Sequence, residues 1–165
     1  MRRNISYLRY LIAHKWFVYC AGDRLGVSLW RLLIHDWHKF LPSEWGPYAR
    51  TFYNPDGSKA EYKSSDEFAE AWRLHQHRGT HHWQHWLLTW DNGKTVPLEI
   101  PKVCCEEMVA DWCGAGRAIT GKWEVSEWYE KNKDKINLHP NTRDYVCYLI
   151  NFWEQHVSPH AKNPI

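Results

Sequence analysis

Residues 33–40 read Leu33-Ile34-His35-Asp36-Trp37-His38-Lys39-Phe40, and the adjacent His35-Asp36 pair closing an apolar helical run is the arrangement in this chain best suited to chemistry. A neutral imidazole and a carboxylate are both good ligands for Zn, Mn or Fe. Consecutive helical residues diverge by about 100°, so the pair grips one ion only if the ion sits over the wedge between them. Other ligands must then arrive from other helices. The chain offers His14 upstream, then His75, His77, His81, His82 and His85, then Asp111. Lys39, three residues after Asp36, puts a cation on the carboxylate's side of the helix, where it could stabilise a phosphoryl oxygen.

Each of these residues also has an ordinary reading. A histidine at a helix C-terminus is favoured by the macrodipole, and Asp36 could pair with Lys39 alone. His14 by itself reads as a packed helix histidine. Asp111, inside an apolar helix beside Trp112, is costly unless paired or liganded. His81 and His85 have the i,i+4 spacing that lets two imidazoles reach one ion, but His82, on a different face, could do so instead. His75, His77 and His85 could orient ligands or bind substrate, and His38 is expected at the surface. Glu107, one turn before Asp111, is a candidate general base, and Arg117, after two glycines, a candidate clamp for an anionic group. Of the twelve Trp, Trp37 and Trp83 adjoin the histidines and could stack on a base, and the rest are expected mostly in the core.

The order His, His-Asp, His, Asp resembles the HD-domain superfamily, whose members are mostly metal-dependent phosphohydrolases on an all-helical scaffold. His35-Asp36-x-x-Lys39 resembles the subgroup with a Lys three after the pair. The resemblance implies metal ligation by His14, His35, Asp36, one of His82 and His81, with His82 favoured, and Asp111. It implies Mn, Fe, Zn or Co, as one or two ions. It further implies hydrolysis of a nucleotide or other small phosphate ester, with Lys39 and Glu107 as catalytic residues and Lys39 and Arg117 against the substrate. Two alternatives accompany it: an HD-type protein that holds two irons and oxidises its substrate, and a non-catalytic phage accessory protein with a structural metal and a Trp-rich interface. The wide gap between the pair and the crowded histidines differs from better-known HD enzymes and leaves the number of metals open. The segments His35-Asp36 to Phe40, Ala71-Trp72 to His77, His81-His82-Trp83, Glu107 to Trp112, Gly114 to Arg117 and Glu127-Trp128-Tyr129 resemble an uncharacterised family of phage and bacterial proteins.

The elements that must position these residues follow from periodicity. Ile5, Leu8, Ile12, Trp16 and Tyr19 recur at helical spacing, with His14 away from the centre of the stripe and Gly22 ending the helix. A second helix is predicted from about Val27 to Phe40, with the His-Asp pair in its last turns. Ser43 is a candidate N-cap for a helix through Phe52. Asn54 to Ser65 is a polar loop and a candidate lid. Ser64-x-x-Glu67 predicts a capping box for a helix stopping near Gly79, and Thr80 caps a short helix carrying His81 to Trp86. Trp90-Asp91-Asn92-Gly93-Lys94 predicts a small hairpin within Leu87 to Leu98. Pro101 opens a helix through Trp112, closed by Gly114 and Gly116. Ser126 caps the next, and Asn141 or Thr142 a final one through His156. The expected fold is an all-α, HD-domain-like bundle with one small β-hairpin, forming a single domain over residues 1–165.

With 165 residues, 24% charged and a formal net charge of +2, the chain carries no strong signal for nucleic acid. No apolar run approaches the roughly 20 residues of a membrane span. Five cysteines without a CxxC motif suggest reduced thiols and a cytoplasmic setting, bacterial or in a phage-infected host. The expected partner is a small phosphate-bearing molecule.

Overall fold

A computed structural model describes residues 1–157. Residues 158–165 lie outside the described residues. The chain is mostly helical with one two-stranded antiparallel sheet. In order come α1 (Arg2–Arg24), α2 (Leu29–Ile34), α3 (Pro42–Phe52), α4 (Asp66–Arg78), β1 (Leu87–Thr89), β2 (Thr95–Pro97), α5 (Lys102–Thr120), α6 (Val125–Asn132) and α7 (Pro140–Phe152). The hairpin forms where its turn residues place it, with Leu88 opposite Val96. No described helix is long and apolar enough to cross a membrane, and all five cysteines are unpaired.

The spine is α1 laid against α5. Gly114 of α5 lets the helices meet: a Cβ there would stand 2.5 Å from the Val18 backbone nitrogen and 2.8 Å from its Cα. Thus Gly114 and Gly116 do not close α5, which runs on to Thr120. Gly22 likewise lies inside α1, where a Cβ would overlap the Leu32 side chain of α2. In both places glycine serves close packing rather than termination.

The predicted apolar stripe of α1 faces outward. Ile5, Leu8, Ile12 and Trp16 are exposed, whereas Tyr7, Leu11, His14, Val18 and Ala21 are buried. The tryptophans show the same inversion, since Trp16, Trp30, Trp37, Trp72, Trp90 and Trp128 are exposed and only Trp153 is fully enclosed. The larger apolar cluster takes Val18, Ala21, Met108, Val109, Val146 and Trp153 from α1, α5 and the C-terminal helices. A smaller one takes Tyr7, Tyr48, Ala49, Phe68 and Ala71 from α1, α3 and α4. His14 sits on α1 between the two, so the polar site occupies the seam between apolar clusters.

Several helix starts differ from expectation. Leu41 precedes α3 with Pro42 in its first turn, and the Ser43 hydroxyl accepts from Arg78 instead of capping. Ser65, one residue later than predicted, caps α4 by accepting from the Phe68 amide. Glu124 precedes α6. His139 caps α7, freeing the buried Thr142 hydroxyl to accept from the Ile100 amide. The loop after α3 is fastened at its first turn, where the Ser6 hydroxyl donates to the Gly57 carbonyl; this end is not a free lid.

Candidate metal centre

The second predicted helix breaks at the residues that matter. Helix α2 stops at Ile34, His35 turns extended, Asp36 adopts φ 55° and ψ 21°, and Trp37–Phe40 form one turn of 3-10 helix. A left-handed aspartate is uncommon, though Asp is among the residues that tolerate it. The corner swings His35 and Asp36 inward together, where a continuing helix would splay the adjacent side chains by about 100°. Lys15 of α1 secures it by donating to the carbonyls of Leu33 and His35.

Two ligand sets meet at Asp36. In the first, His14 Nε2 lies 3.1 Å from Asp36 Oδ2 and 3.2 Å from Asp111 Oδ1. His35 Nε2 lies 3.4 Å and 3.3 Å from the same two oxygens. In the second, Asp36 Oδ1 is 3.6 Å from His75 Nε2 and 3.4 Å from His81 Nε2, and His82 Nε2 is 2.8 Å from His75 Nε2. Ligand atoms about 2.1 Å from one ion and roughly 90–110° apart stand about 3.0–3.4 Å from one another, so both sets have the dimensions of a coordination shell. All of these residues are buried except Asp111, which is nearly so.

The fit can be tested on unsatisfied atoms. His35 Nε2, Asp36 Oδ1, His81 Nε2 and Asp111 Oδ1 are buried and have no hydrogen-bond partner. Leaving one such group unpaired costs about 1–3 kcal/mol. Four that converge on two points form a donor set that suits divalent ions. Behind three of the imidazoles stands a carboxylate, whereas His14 Nδ1 has no hydrogen-bond partner among the described residues. His35 Nδ1 donates to Glu107 Oε1 at 2.9 Å, and His75 Nδ1 donates to Glu44 Oε2 at 3.0 Å. These bonds leave the Nε2 lone pairs facing inward, the tautomer that metal ligation needs. His81 Nδ1 stands 3.4 Å from Glu107 and His38 Nδ1 3.2 Å from Glu44. Each outer carboxylate is also clamped by a guanidinium at 2.6 Å, Arg31 on Glu107 and Arg78 on Glu44.

Electrostatics follow the same plan. Burial would raise the carboxyl pKa values of Glu44 and Glu107, but hydrogen bonds from the imidazoles hold both well below the usual range. Asp36 and Asp111 are lowered too, against burial, chiefly by His35 and Lys39 for the first and by the close imidazoles of His14 and His35 for the second. Burial drives His75 down to about 4 and His82 well down, so both are neutral near pH 7. Burial pulls His81 the same way, yet the facing carboxylates of Asp36 and Glu107 outweigh it and lift His81 to about 10. In His35, burial is outweighed mainly by the Asp36 charge, and the pKa rises.

The structure brings His14, His35, Asp36, His81, His82 and Asp111 together. His81 and His82 do so from the turn before a 3-10 segment (Trp83–Trp86) and not from a helix, so the i,i+4 relation of His81 to His85 plays no part; His85 instead bonds to the His77 carbonyl. Lys39 is buried with Nζ 2.6 Å from Asp36 Oδ2. Glu107 stands behind the ligands. Arg117 does not join them: it lies about 9 Å further along α5 than Asp111, its guanidinium over the rings of Phe17 and Trp123. His38, expected at the surface, is buried against Glu44.

Sequence reasoning underweighted His75 and missed Glu44. The signal for His75 was present, since Phe68, Ala71 and His75 share the buried face of α4 at i, i+3, i+7. Nothing local marks Glu44, which reads as an ordinary acidic residue in a helix's first turn.

Fold and site together define an all-α protein with a buried histidine–carboxylate centre that could hold metal. Over residues 3–152 the chain matches the model of a family of unknown function, DUF5662, and it belongs to that family. No curated protein and no solved structure matches it.

Proposed function

We propose that the protein is an HD-type, metal-dependent phosphohydrolase acting on a nucleotide or other small phosphate ester. The observation that carries this reading is the shared Asp36 carboxylate, one oxygen in each of two buried histidine sets in which Glu107 and Glu44 stand behind His35, His75 and His81. Divalent ions held there supply Lewis acidity toward a phosphoryl oxygen and acidify a water. The chain's own contributions are geometric and electrostatic. Glu107 and Glu44 fix the ring orientations, Asp111 closes the first set, and Lys39 places a positive charge beside Asp36 where negative charge would develop. Glu107 serves as an orienting group in this scheme and not as the general base, because its oxygens are taken by His35, His81 and Arg31. A cleft of about 130 Å³ opens beside His35, Asp36 and His81, giving substrate a route in.

Elemental analysis combined with a screen of phosphate monoesters and nucleotides tests the proposal, using wild type and Asp36→Asn. Two ions per chain and turnover in the wild type, with both lost in the variant, are expected. Full metal content in Asp36→Asn, or a metal-loaded wild type without turnover on any ester, would overturn it.

The sharing of one carboxylate by two ligand sets also favours a second reading, oxidation of a substrate at two irons. Iron as the bound metal, with dioxygen consumption in place of phosphate release, would select it.

A further inference from the structure

The mouth of the cleft has a construction that ion binding alone does not require. It is lined by Arg31, Ile34, Trp37, Arg78 and Thr80, with His35, Asp36 and His81 at its floor. The two arginines are related: each anchors on a buried carboxylate that stands behind the ligand histidines, Arg31 on Glu107, which backs His35 and His81, and Arg78 on Glu44, which backs His75. Arg31 gives further hydrogen bonds to Thr80 Oγ1 and Cys104 Sγ, and Arg78 to Ser43 Oγ. Each keeps an outward edge, with guanidinium side chains 30% and 34% exposed. Nη1 of Arg31, and Nε and Nη2 of Arg78, bond to nothing among the described residues. Arg31 Nη1 and the Nε/Nη2 edge of Arg78, immobilised in advance by the carboxylates behind them, are suited to a tetrahedral oxyanion and lose little side-chain entropy on binding one.

The remaining features bear on what that anion is attached to. At about 130 Å³ the cleft is well below the roughly 300 Å³ at which small-molecule pockets begin, so only part of a metabolite enters. Trp37, on the rim, is 56% exposed. Its neighbours Ile34 and Phe40 are exposed as well. A large indole held at the edge of an anion cleft gives a flat group somewhere to stack once its phosphate is inside.

We propose that Arg31 and Arg78 grip the terminal phosphate of a monoester while Trp37 stacks on a planar leaving group outside the cleft, which makes a mononucleotide the substrate class. The assignment rests on the phosphohydrolase reading, and its test reads binding first and turnover second. Two non-hydrolysable probes share the anion and differ in the ring: methylphosphonate, and the methylene phosphonate analogue of AMP. Their binding to metal-loaded protein is measured by calorimetry, with metal content and Tm recorded for every variant.

The AMP analogue should bind wild type at least tenfold more tightly than methylphosphonate. Trp37→Ala should abolish that preference and leave methylphosphonate within twofold. Arg31→Lys and Arg78→Lys keep the charge opposite each glutamate but lose the fork, and each should weaken both probes about tenfold. Equal affinity of the two probes in wild type, a Trp37→Ala effect equal on both, or a change under twofold in both lysine variants would overturn the proposal. The expected binding pattern without turnover on any ester would sink the hydrolase reading alone. Turnover unaffected by all three substitutions would sink this assignment and leave hydrolysis standing.

Discussion

The two halves of the centre share the Asp36 carboxylate and, behind the ligands, Glu107, but they are built from different kinds of structure. The first half draws His14 from the middle of α1 and Asp111 from the middle of α5, long helices locked together through Gly114 and Val18. The second draws His75 from the last turn of α4, and His81 and His82 from the turn that follows. Residues in mid-helix within a packed core move only if the core moves, whereas a helix end and a turn can distort locally at small cost. One half is therefore preformed by the fold, and the other is completed by local structure. We expect the first to hold its ion more tightly.

Four perturbations sharpen or break this contrast. The largest effect is expected from Gly114→Ala, whose Cβ meets backbone atoms of Val18 that cannot rotate away. Overpacking typically costs about 1–3 kcal/mol, and a clash with backbone belongs at the upper end of that range. Denaturant unfolding should register the loss together with the first-half ion, and a change below about 1 kcal/mol would show that α1 and α5 separate freely.

Gly79→Ala is the matched test of the second half. Its Cβ would stand 2.8 Å from His82 Cδ2 and 3.0 Å from His81 Cε1. Metal stoichiometry should fall from two to one, with Tm of the metal-free protein lowered by only a few degrees. Loss of both ions would mean the halves are not separable.

Glu44→Gln and Glu107→Gln should differ in reach. Glu44 backs His75 alone among the ligands, while Glu107 backs His35 in one half and His81 in the other. Removing an orienting carboxylate costs roughly 10–100-fold in metal affinity. Titration should show one weakened ion for Glu44→Gln and two for Glu107→Gln; identical profiles would contradict the geometry.

The smallest effect concerns pH. In the metal-free fold burial lowers His75 to about 4, and lowers His82 as well. An unfolded chain takes up these protons near pH 6.5 and the fold refuses them, so their contribution is complete above that pH and is lost as pH falls toward 4. His81, raised to about 10, acts oppositely, stabilising below pH 6.5 and ceasing to do so as pH rises through 10. Unfolding free energy of the metal-free protein should thus decline on acidification below pH 6.5, and His75→Gln should flatten that slope. A slope unchanged by the substitution would remove His75 from the buried cluster.

Much of the site was legible because its chemistry is carried by residue types that are conspicuous in order. An imidazole, an imidazole–carboxylate pair, crowded imidazoles and a late aspartate in an apolar helix mark a site whatever path the chain takes between them. The hairpin was legible for a similar reason, since Asn92-Gly93 encodes its own turn. Features that depend on a partner were not legible. Gly22 and Gly114 carry the same local signal as helix-stopping glycines, and only the neighbouring Leu32 and Val18 show that they pack. Glu44 acquires meaning from His38, His75 and Arg78, the last two more than thirty residues away.

The sequence by itself determined a helical chain carrying a metal-ligand vocabulary, because periodicity and side-chain chemistry are local properties. Tertiary structure decided which face of α1 turns inward. An apolar stripe argues for burying Ile5, Leu8, Ile12 and Trp16, yet the face with His14 is buried, since Asp36 and Asp111 arrive from other segments and compensate the desolvation of its ring. Tertiary structure also decided that His35-Asp36 forms a left-handed corner, held by Lys15 from another helix, and this is what lets one carboxylate face both ligand sets.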